Sequence, residues 1–388
     1  MNNVFDEIRP YEPEEMQQAF KEMLDDRQFN AVLKGFAPWL PKSVRNGLLR
    51  LAFTGVKTPL DFQKRFMKPV VKYIIRKHTD GCTFNFEWLD GRGNCKEADP
   101  TQRFTFVSNH RDIVLDSAFL DVMLIDNGFP TTVEIGIGDN LLIYPWIKRL
   151  VRMNKAFVVR RGLSPKEMLR SSQLMSDYIH HAVTKKRENI WIAQREGRAK
   201  DSDDRTQESV LKMLAMGGDI RELNIVPLSI TYEFDPCDYL KAQEMQQKRD
   251  NPAFKKSRQD DLDNMRTGIF GYKGHVYYRC GRPVNSWIDQ LADLPRKDFY
   301  AALAAKMDKQ IHSGYEPLPI HFAALDILTG LPLFLDRYED DDKERFERYI
   351  EGQLKKITIP NPDIDFLRHQ MLLMYANPAK NRLDALYG

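Results

Sequence analysis

The chain has 388 residues, 42% of them hydrophobic and 29% charged, a composition that can bury a core and excludes global disorder. Its 58 basic and 55 acidic residues leave a formal charge of only +3, so bulk charge alone says nothing for a nucleic-acid partner. The four cysteines, Cys82, Cys95, Cys237 and Cys280, form no C-x-x-C pair. That argues against a disulfide framework or structural zinc and suits reduced thiols in a cytosolic protein.

The opening MNNVFDEIRP is acidic and lacks the apolar core of a secretory signal. Residues 14–29 read as a polar helix. Residues 30–77 differ sharply, with eleven Lys/Arg against the single acid Asp61, a local +10. Trp39, Leu48, Leu51, Phe53, Phe62, Val70 and Ile74 lie among those bases, and Pro38, Pro41 and Pro59 divide the stretch into short helices. Basic amphipathic helices of this kind suit an anionic membrane interface, where each Lys or Arg contributes about 1 kcal/mol. The alternative is a helical layer on the main domain with a solvated basic face.

From 82 to 285 the pattern alternates. β-rich runs fall at 82–88, 104–108, 131–137, 156–160, 189–193, 224–232 and 275–280, with helical stretches between most of them. Ser164-Pro165-Lys166-Glu167 is a capping box with proline at the first helical position, opening a helix to about Lys186. Gly217-Gly218 is a helix stop. The charged stretch 239–267 reads as a helical or loop insertion. Strands alternating with helices predict an α/β fold: an αβα domain with a seven-stranded, mostly parallel or mixed sheet. Beyond 286 the pattern is helical. Residues 318–335 are the best candidate for a membrane span, but two prolines, a glycine, His321 and Asp326 interrupt them, and they are rejected as one. The acidic run Glu339–Asp342 reads as a solvated helix start. The expected division is a helical, membrane-associating region at 1–78, an α/β domain at 79–285 and a helical extension at 286–388.

No G-x-G-x-x-G, Walker A, H-E-x-x-H or G-x-S-x-G sequence occurs, which removes the usual support for nucleotide binding, zinc hydrolysis or a nucleophile elbow. Four segments stand out instead. In FVSNHRDIVLDSAFL (106–120) a β-run ends at Ser108 and His110 follows at once. Residues at the carboxyl end of a strand in an open α/β sheet lie where ligands bind, and histidine there suits a general base. Asp112 and Asp116 are both candidates to orient the imidazole; pairing with Asp116 requires residues 109–112 to form a turn rather than helix. The same residues would also suit a helix-capping turn with no catalysis. Arg160 and Arg161 close a short apolar strand, a position suited to a phosphate or to a surface salt bridge. A third strand ends in Arg195, Glu196, Gly197, Arg198 and Lys200, where glycine permits close backbone approach to an anion. In the fourth, Pro227 within the run 224–232 predicts an interrupted ladder or an edge strand.

The order of these segments resembles the glycerolipid acyltransferase superfamily, the glycerol-3-phosphate and 1-acylglycerol-3-phosphate acyltransferases. The family's Asn-His-x4-Asp motif corresponds to Asn109-His110 with Asp116. Its aromatic-x-x-Arg strand corresponds to Phe157-Val158-Val159-Arg160, its Glu-Gly-x-Arg to Glu196-Gly197-Arg198, and its Val-Pro strand to Val226-Pro227. There are two departures. His110 and Asp116 are separated by five residues, which leaves Asp112 as an alternative partner of His110, and Arg198 follows Gly197 without a spacer, which leaves Arg195 or Lys200 as an alternative to the expected arginine.

The resemblance implies transfer of a fatty acyl group from acyl-CoA or acyl carrier protein to the hydroxyl of glycerol-3-phosphate or a lysophospholipid. His110 would be the general base, with Asp116 or Asp112 orienting it. Arg160, Arg161, Glu196, Gly197 and Arg198 would bind the acceptor. It implies no cofactor, no metal and no nucleic-acid partner, and a cytoplasmic protein peripheral on an anionic membrane surface. A non-catalytic lipid-binding protein on the same fold, and a thioester hydrolase, are the alternatives.

Overall fold

The computed structural model describes residues 4–89, 95–96 and 102–388; the side chains of Phe36, Trp88, Leu89, Cys95 and Lys96 lie outside this description. Seven strands form one sheet: β1 (Gly81–Asn85), β2 (Thr105–Ser108), β3 (Val133–Gly138), β4 (Ala156–Val159), β5 (Asn189–Ala193), β6 (Ile225–Tyr232) and β7 (His275–Cys280). Their order is β1-β7-β6-β2-β5-β3-β4. All pairings are parallel except β6 with β7. Each of the seven β-rich runs therefore became a strand. Residues 88–89 pair separately with 95–96.

The central strands are apolar on both faces because both faces are covered. Every residue of β2 and β6 is buried, as expected for strands inside an αβα sandwich. On one face Phe106, Val226 and Trp191 pack with Val71 and Ile74 and with Leu115, Phe119 and Leu120. On the other, Val107, Ile190 and Ile225 pack with Tyr178, Ile179, Leu211, Leu303 and Met307. Each large side chain so buried contributes about 1.5–3 kcal/mol. Of the two readings of Pro227, the edge strand is corrected, since β6 is central and paired on both sides, while the interrupted ladder holds. The proline is tolerated because the antiparallel ladder with β7 starts one residue later, at Leu228. Its carbonyl accepts the Gly281 N–H at 2.7 Å.

The N-terminal helices are α1 (Met16–Asp25), α2 (Arg27–Phe36), α3 (Lys42–Phe53), α4 (Pro59–Phe62) and, after a π-turn at Gln63–Met67, α5 (Lys68–His78). The single polar helix expected over 14–29 is two helices, because the Asp26 side chain accepts the Gln28 and Phe29 N–H groups and starts α2. Nor is α1 polar throughout: Met16, Phe20, Met23 and Leu24 are buried with Phe53, Val56 and Phe62. The basic stretch thus divides, one side forming this core while Trp39, Leu48 and Leu51 remain 75%, 54% and 71% exposed.

The remaining helices are α6 (Leu115–Asp126), α7 (Pro145–Met153), α8 (Pro165–His181), α9 (Glu208–Leu214), α10 (Asp238–Asp250), α11 (Arg258–Phe270), α12 (Arg296–Ser313), α13 (Pro319–Thr329), α14 (Asp340–Leu354) and α15 (Ile364–Tyr387). α8 opens on the Ser164–Glu167 capping box. The charged insertion is the pair α10 and α11. The C-terminal region is helical, and α13, at 11 residues, is the only helix within 318–335. Among the described residues no helix is long and apolar enough to cross a membrane.

Candidate active site

β2 runs parallel to β3, β4, β5 and β6, so the carboxyl ends of all five meet at one edge. The chain leaves β2 toward β3 on one side, while β5 connects to β6 on the other. This is the crossover point at which open α/β sheets form a ligand crevice. His110 stands two residues past the end of β2, at this place.

Several contacts fix the turn at 109–114. The Asn109 side chain donates to the Ile230 carbonyl at 2.9 Å and accepts the Ile230 N–H at 2.8 Å, locking the turn to β6. His110 Nδ1 lies 2.8 Å from Asp116 Oδ2, and the Asp116 side chain is only 1% exposed. The same oxygen accepts the Arg111 N–H at 2.7 Å and the Asp112 N–H at 3.1 Å. Asp116 Oδ1 accepts the Tyr232 hydroxyl at 3.1 Å. The turn thus wraps around one carboxylate, which absorbs the extra residue between His110 and Asp116. Asp112 has another task. Its Oδ1 accepts the Val114 and Leu115 N–H groups, each at 2.8 Å, at the start of α6. Burial, then the charge of Asp116, pushes its carboxyl pKa up. α11 approaches so closely that a Cβ at Gly268 would meet Asp112 Oδ2 at 2.0 Å. Of the two candidate carboxylates, Asp116 is the one paired with His110.

Ser108 is spoken for: it donates to the Asn109 carbonyl at 2.7 Å and accepts the Trp191 indole N–H at 3.0 Å. The Trp191 ring meets His110 edge-on, centroids 5.4 Å apart, so β5 buttresses the imidazole. Behind the turn, the Arg111 guanidinium donates to Asp235 at 2.8 Å, and Asp235 also pairs with the fully buried Lys241 of α10. Burial opposes ionisation of Asp235, but Lys241 and Arg111 outweigh it and hold the carboxyl at about 2.

A cleft of about 620 Å³ opens in front of His110. Its lining includes Arg160, Arg161, Glu196, Gly197 and Arg198, so the structure gathers these residues, along with His110, around one space. Gly197 adopts φ = +71°, a left-handed conformation that favours glycine. The arginines are not equivalent. Arg160 is paired with Glu7 and Arg161 with Glu196, and these partly exposed pairs are worth little. Arg198 donates to Asn264 Oδ1 of α11 at 3.3 Å, while its buried Nη1 has no partner. Arg195 and Lys200 also line the cleft, joined by Lys256 and Asp261 from the insertion. Burial, then Arg198, lowers the Lys200 pKa to about 7. Apolar side chains, among them Ile135, Ile137, Val159, Met168, Met175 and Val210, share the wall with the polar Asn140, Ser171, Ser172, Gln207 and Ser209.

Sequence reading missed the contributions from far along the chain. Tyr232, Asn264 and Lys256 reach the site from 116 residues beyond Asp116, 66 beyond Arg198 and the α10–α11 loop, respectively. None carries a local signal. The apolar wall is assembled from several strands and helices and is likewise invisible in any single segment.

Residues 93–231 match the family model described as Acyltransferase. The matched 139 of the 388 residues mark an acyltransferase domain within this α/β unit. Among solved structures, the 1-acyl-sn-glycerophosphate (LPA) acyltransferase PlsC from Thermotoga maritima is similar at 10% identity and a TM-score of 0.36, over 75% of this chain and 91% of that one. No match was found among curated protein sequences. The matched segment spans β2 to β6, and with it the His110 turn, the acyltransferase domain's arginine-bearing strand ends and Pro227.

Proposed function

We propose that the protein transfers a fatty acyl group from acyl-CoA or acyl carrier protein to the hydroxyl of an anionic acceptor, glycerol-3-phosphate or a lysophospholipid, at a membrane surface. The observation that carries this reading is the His110–Asp116 pair at the mouth of a cleft that is basic at one part and apolar at another. With Nδ1 engaged by Asp116, the other ring nitrogen is left to the cleft. It takes the acceptor hydroxyl proton as that oxygen attacks the thioester carbonyl. The tetrahedral intermediate then collapses, the C–S bond breaks, and the imidazolium returns the proton to the departing thiolate. Asp116 supplies the counter-charge for the imidazolium. No protein nucleophile is called for, in keeping with the engaged Ser108.

Arg198, with its unpartnered Nη1, is the primary anion ligand in this scheme, supported by Arg195, Lys200 and Lys256. Arg160 and Arg161 exchange their weak carboxylate partners for the acceptor's phosphate, and Glu196 orients them. The acyl chain lies along the Ile135–Val159–Met175 wall. The exposed Trp39, Leu48 and Leu51 among the lysines and arginines of 30–77 form the surface that meets anionic lipid.

Purified protein should acylate glycerol-3-phosphate or lysophosphatidic acid when offered acyl-CoA and acyl carrier protein donors, and His110→Ala should abolish it. Release of free fatty acid without acylated product would replace this reading by thioester hydrolysis. Absence of both, from folded protein that still binds vesicles, would replace it by lipid binding alone.

A further inference from the structure

Far from the motifs, between α13 and α14, the run Ile327–Leu335 has no charged residue. Within it Leu331, Leu333 and Leu335 are 54%, 58% and 59% exposed. Between the last two, Phe334 turns inward against Phe322, with ring centroids 5.6 Å apart. The loop is not loosely held. The buried Asp326 carboxylate accepts the Leu333 N–H, the Phe334 N–H and the Tyr338 hydroxyl, each at 3.0 Å. The Gly330 N–H reaches the Asp326 carbonyl at 2.9 Å, the Leu331 N–H reaches Thr329 Oγ1 at 3.4 Å, and Pro332 has no N–H. From Gly330 to Phe334, therefore, every backbone N–H is satisfied within the chain.

That combination is unusual for a surface loop, whose N–H groups can use water. It lowers the cost of bringing this backbone toward hydrocarbon, where each unsatisfied N–H is costly. Three leucines projecting singly offer no complementary face to a folded partner but suit a fluid apolar medium. The position also fits. Arg345, in the second turn of α14, the helix that follows the loop, reaches Glu233 Oε1 at 3.3 Å. Glu233 follows β6 directly, at the end of the sheet where the cleft opens.

We propose that residues 330–335 are a second membrane-contacting element that inserts Leu331, Leu333 and Leu335 into the acyl region of a bilayer. The proposal rests on the reading that this acyltransferase works on lipid. The neighbouring charges are the Asp336–Arg337 pair and the acidic run Glu339–Asp342. Insertion is therefore driven by apolar burial and does not need anionic lipid. This distinguishes it from the basic surface of 30–77.

The test is co-sedimentation of the full chain with pure phosphatidylcholine vesicles at low and high salt, comparing wild type with the triple variant Leu331→Ser/Leu333→Ser/Leu335→Ser. All three side chains are exposed, so the variant should fold, and circular dichroism and thermal melting check this. Wild type should bind at both salt concentrations, and the variant at least tenfold more weakly. No binding of wild type to phosphatidylcholine, or equal binding by the two, would overturn the proposal. So would a wild-type dimer in light scattering that becomes monomeric in the variant while vesicle binding is unchanged, which would make the loop a contact between copies. Acyl transfer to glycerol-3-phosphate and to lysophosphatidic acid, measured alongside, separates the two ideas: its absence with both in wild type would sink the functional reading, whereas vesicle binding alone decides the loop.

Discussion

Replacing Asp116 by asparagine isolates the charge in the proposed catalytic pair. The Arg111 and Asp112 N–H groups both donate to Oδ2, at 2.7 and 3.1 Å. The substituted amide must therefore place its oxygen at that position and its NH2 toward the Tyr232 hydroxyl, which can rotate to accept. His110 keeps its hydrogen bond and its tautomer; the loss is the negative charge facing the imidazolium. Two unit charges about 4 Å apart interact by about 4 kcal/mol at an effective dielectric near 20. At about 1.4 kcal/mol per tenfold, Asp116→Asn should lower kcat about 10³-fold with little change in KM for the acceptor. Asp112→Asn keeps an oxygen for the Val114 and Leu115 N–H groups, and asparagine caps helices about as well as aspartate, so its kcat should fall less than tenfold. Steady-state formation of acylated product reads both. If Asp112→Asn lost as much as Asp116→Asn, or if Asp116→Asn stayed within tenfold of wild type, the assignment of Asp116 would be wrong.

Arg198→Gln should raise the acceptor KM about 10–100-fold, the scale of one charge-assisted contact, with kcat changed far less; an equal loss in kcat would mean that it acts on the transition state instead. Lys200, held near 7, is cationic below that pH and neutral above it, so the affinity for an anionic acceptor should fall as pH rises from 6 to 8.5. Lys200→Arg should flatten that profile, because arginine stays charged across the range, and an unchanged profile would remove Lys200 from the acceptor site. Lys241→Met leaves Asp235 buried with one cation fewer and should destabilise the fold by about 3–5 kcal/mol in chemical denaturation. Trp39→Ser with Leu51→Ser should weaken binding to anionic vesicles and leave turnover of soluble acceptors unchanged; intact vesicle binding would count against the basic helices as a membrane surface.

Much of the architecture was legible along the chain because it is written in local periodicity. Continuous apolar runs such as 104–108 and 189–193 specify strands buried on both faces, and Ser164–Glu167 specifies a helix start, whatever surrounds them. The spacing of Asn109-His110 and Asp116, and the Glu196-Gly197-Arg198 turn, were likewise visible because the turn chemistry is local. Strand order is not. That β6 is central although it contains Pro227 depends on where β7 begins its ladder, some 50 residues later. The choice between Asp112 and Asp116 was open in sequence, since either could approach His110. It was decided by two backbone N–H groups converging on Asp116 Oδ2 and by the demand for N–H acceptors at the start of α6. Nor could sequence show that Arg160 and Arg161 already hold Glu7 and Glu196 while Arg198 keeps a nitrogen unpaired. Those are distances between elements far apart in the chain, fixed only when the sheet and the α10–α11 insertion pack together. The sequence determined which residues have the chemistry; the tertiary structure decided which of them are free to use it.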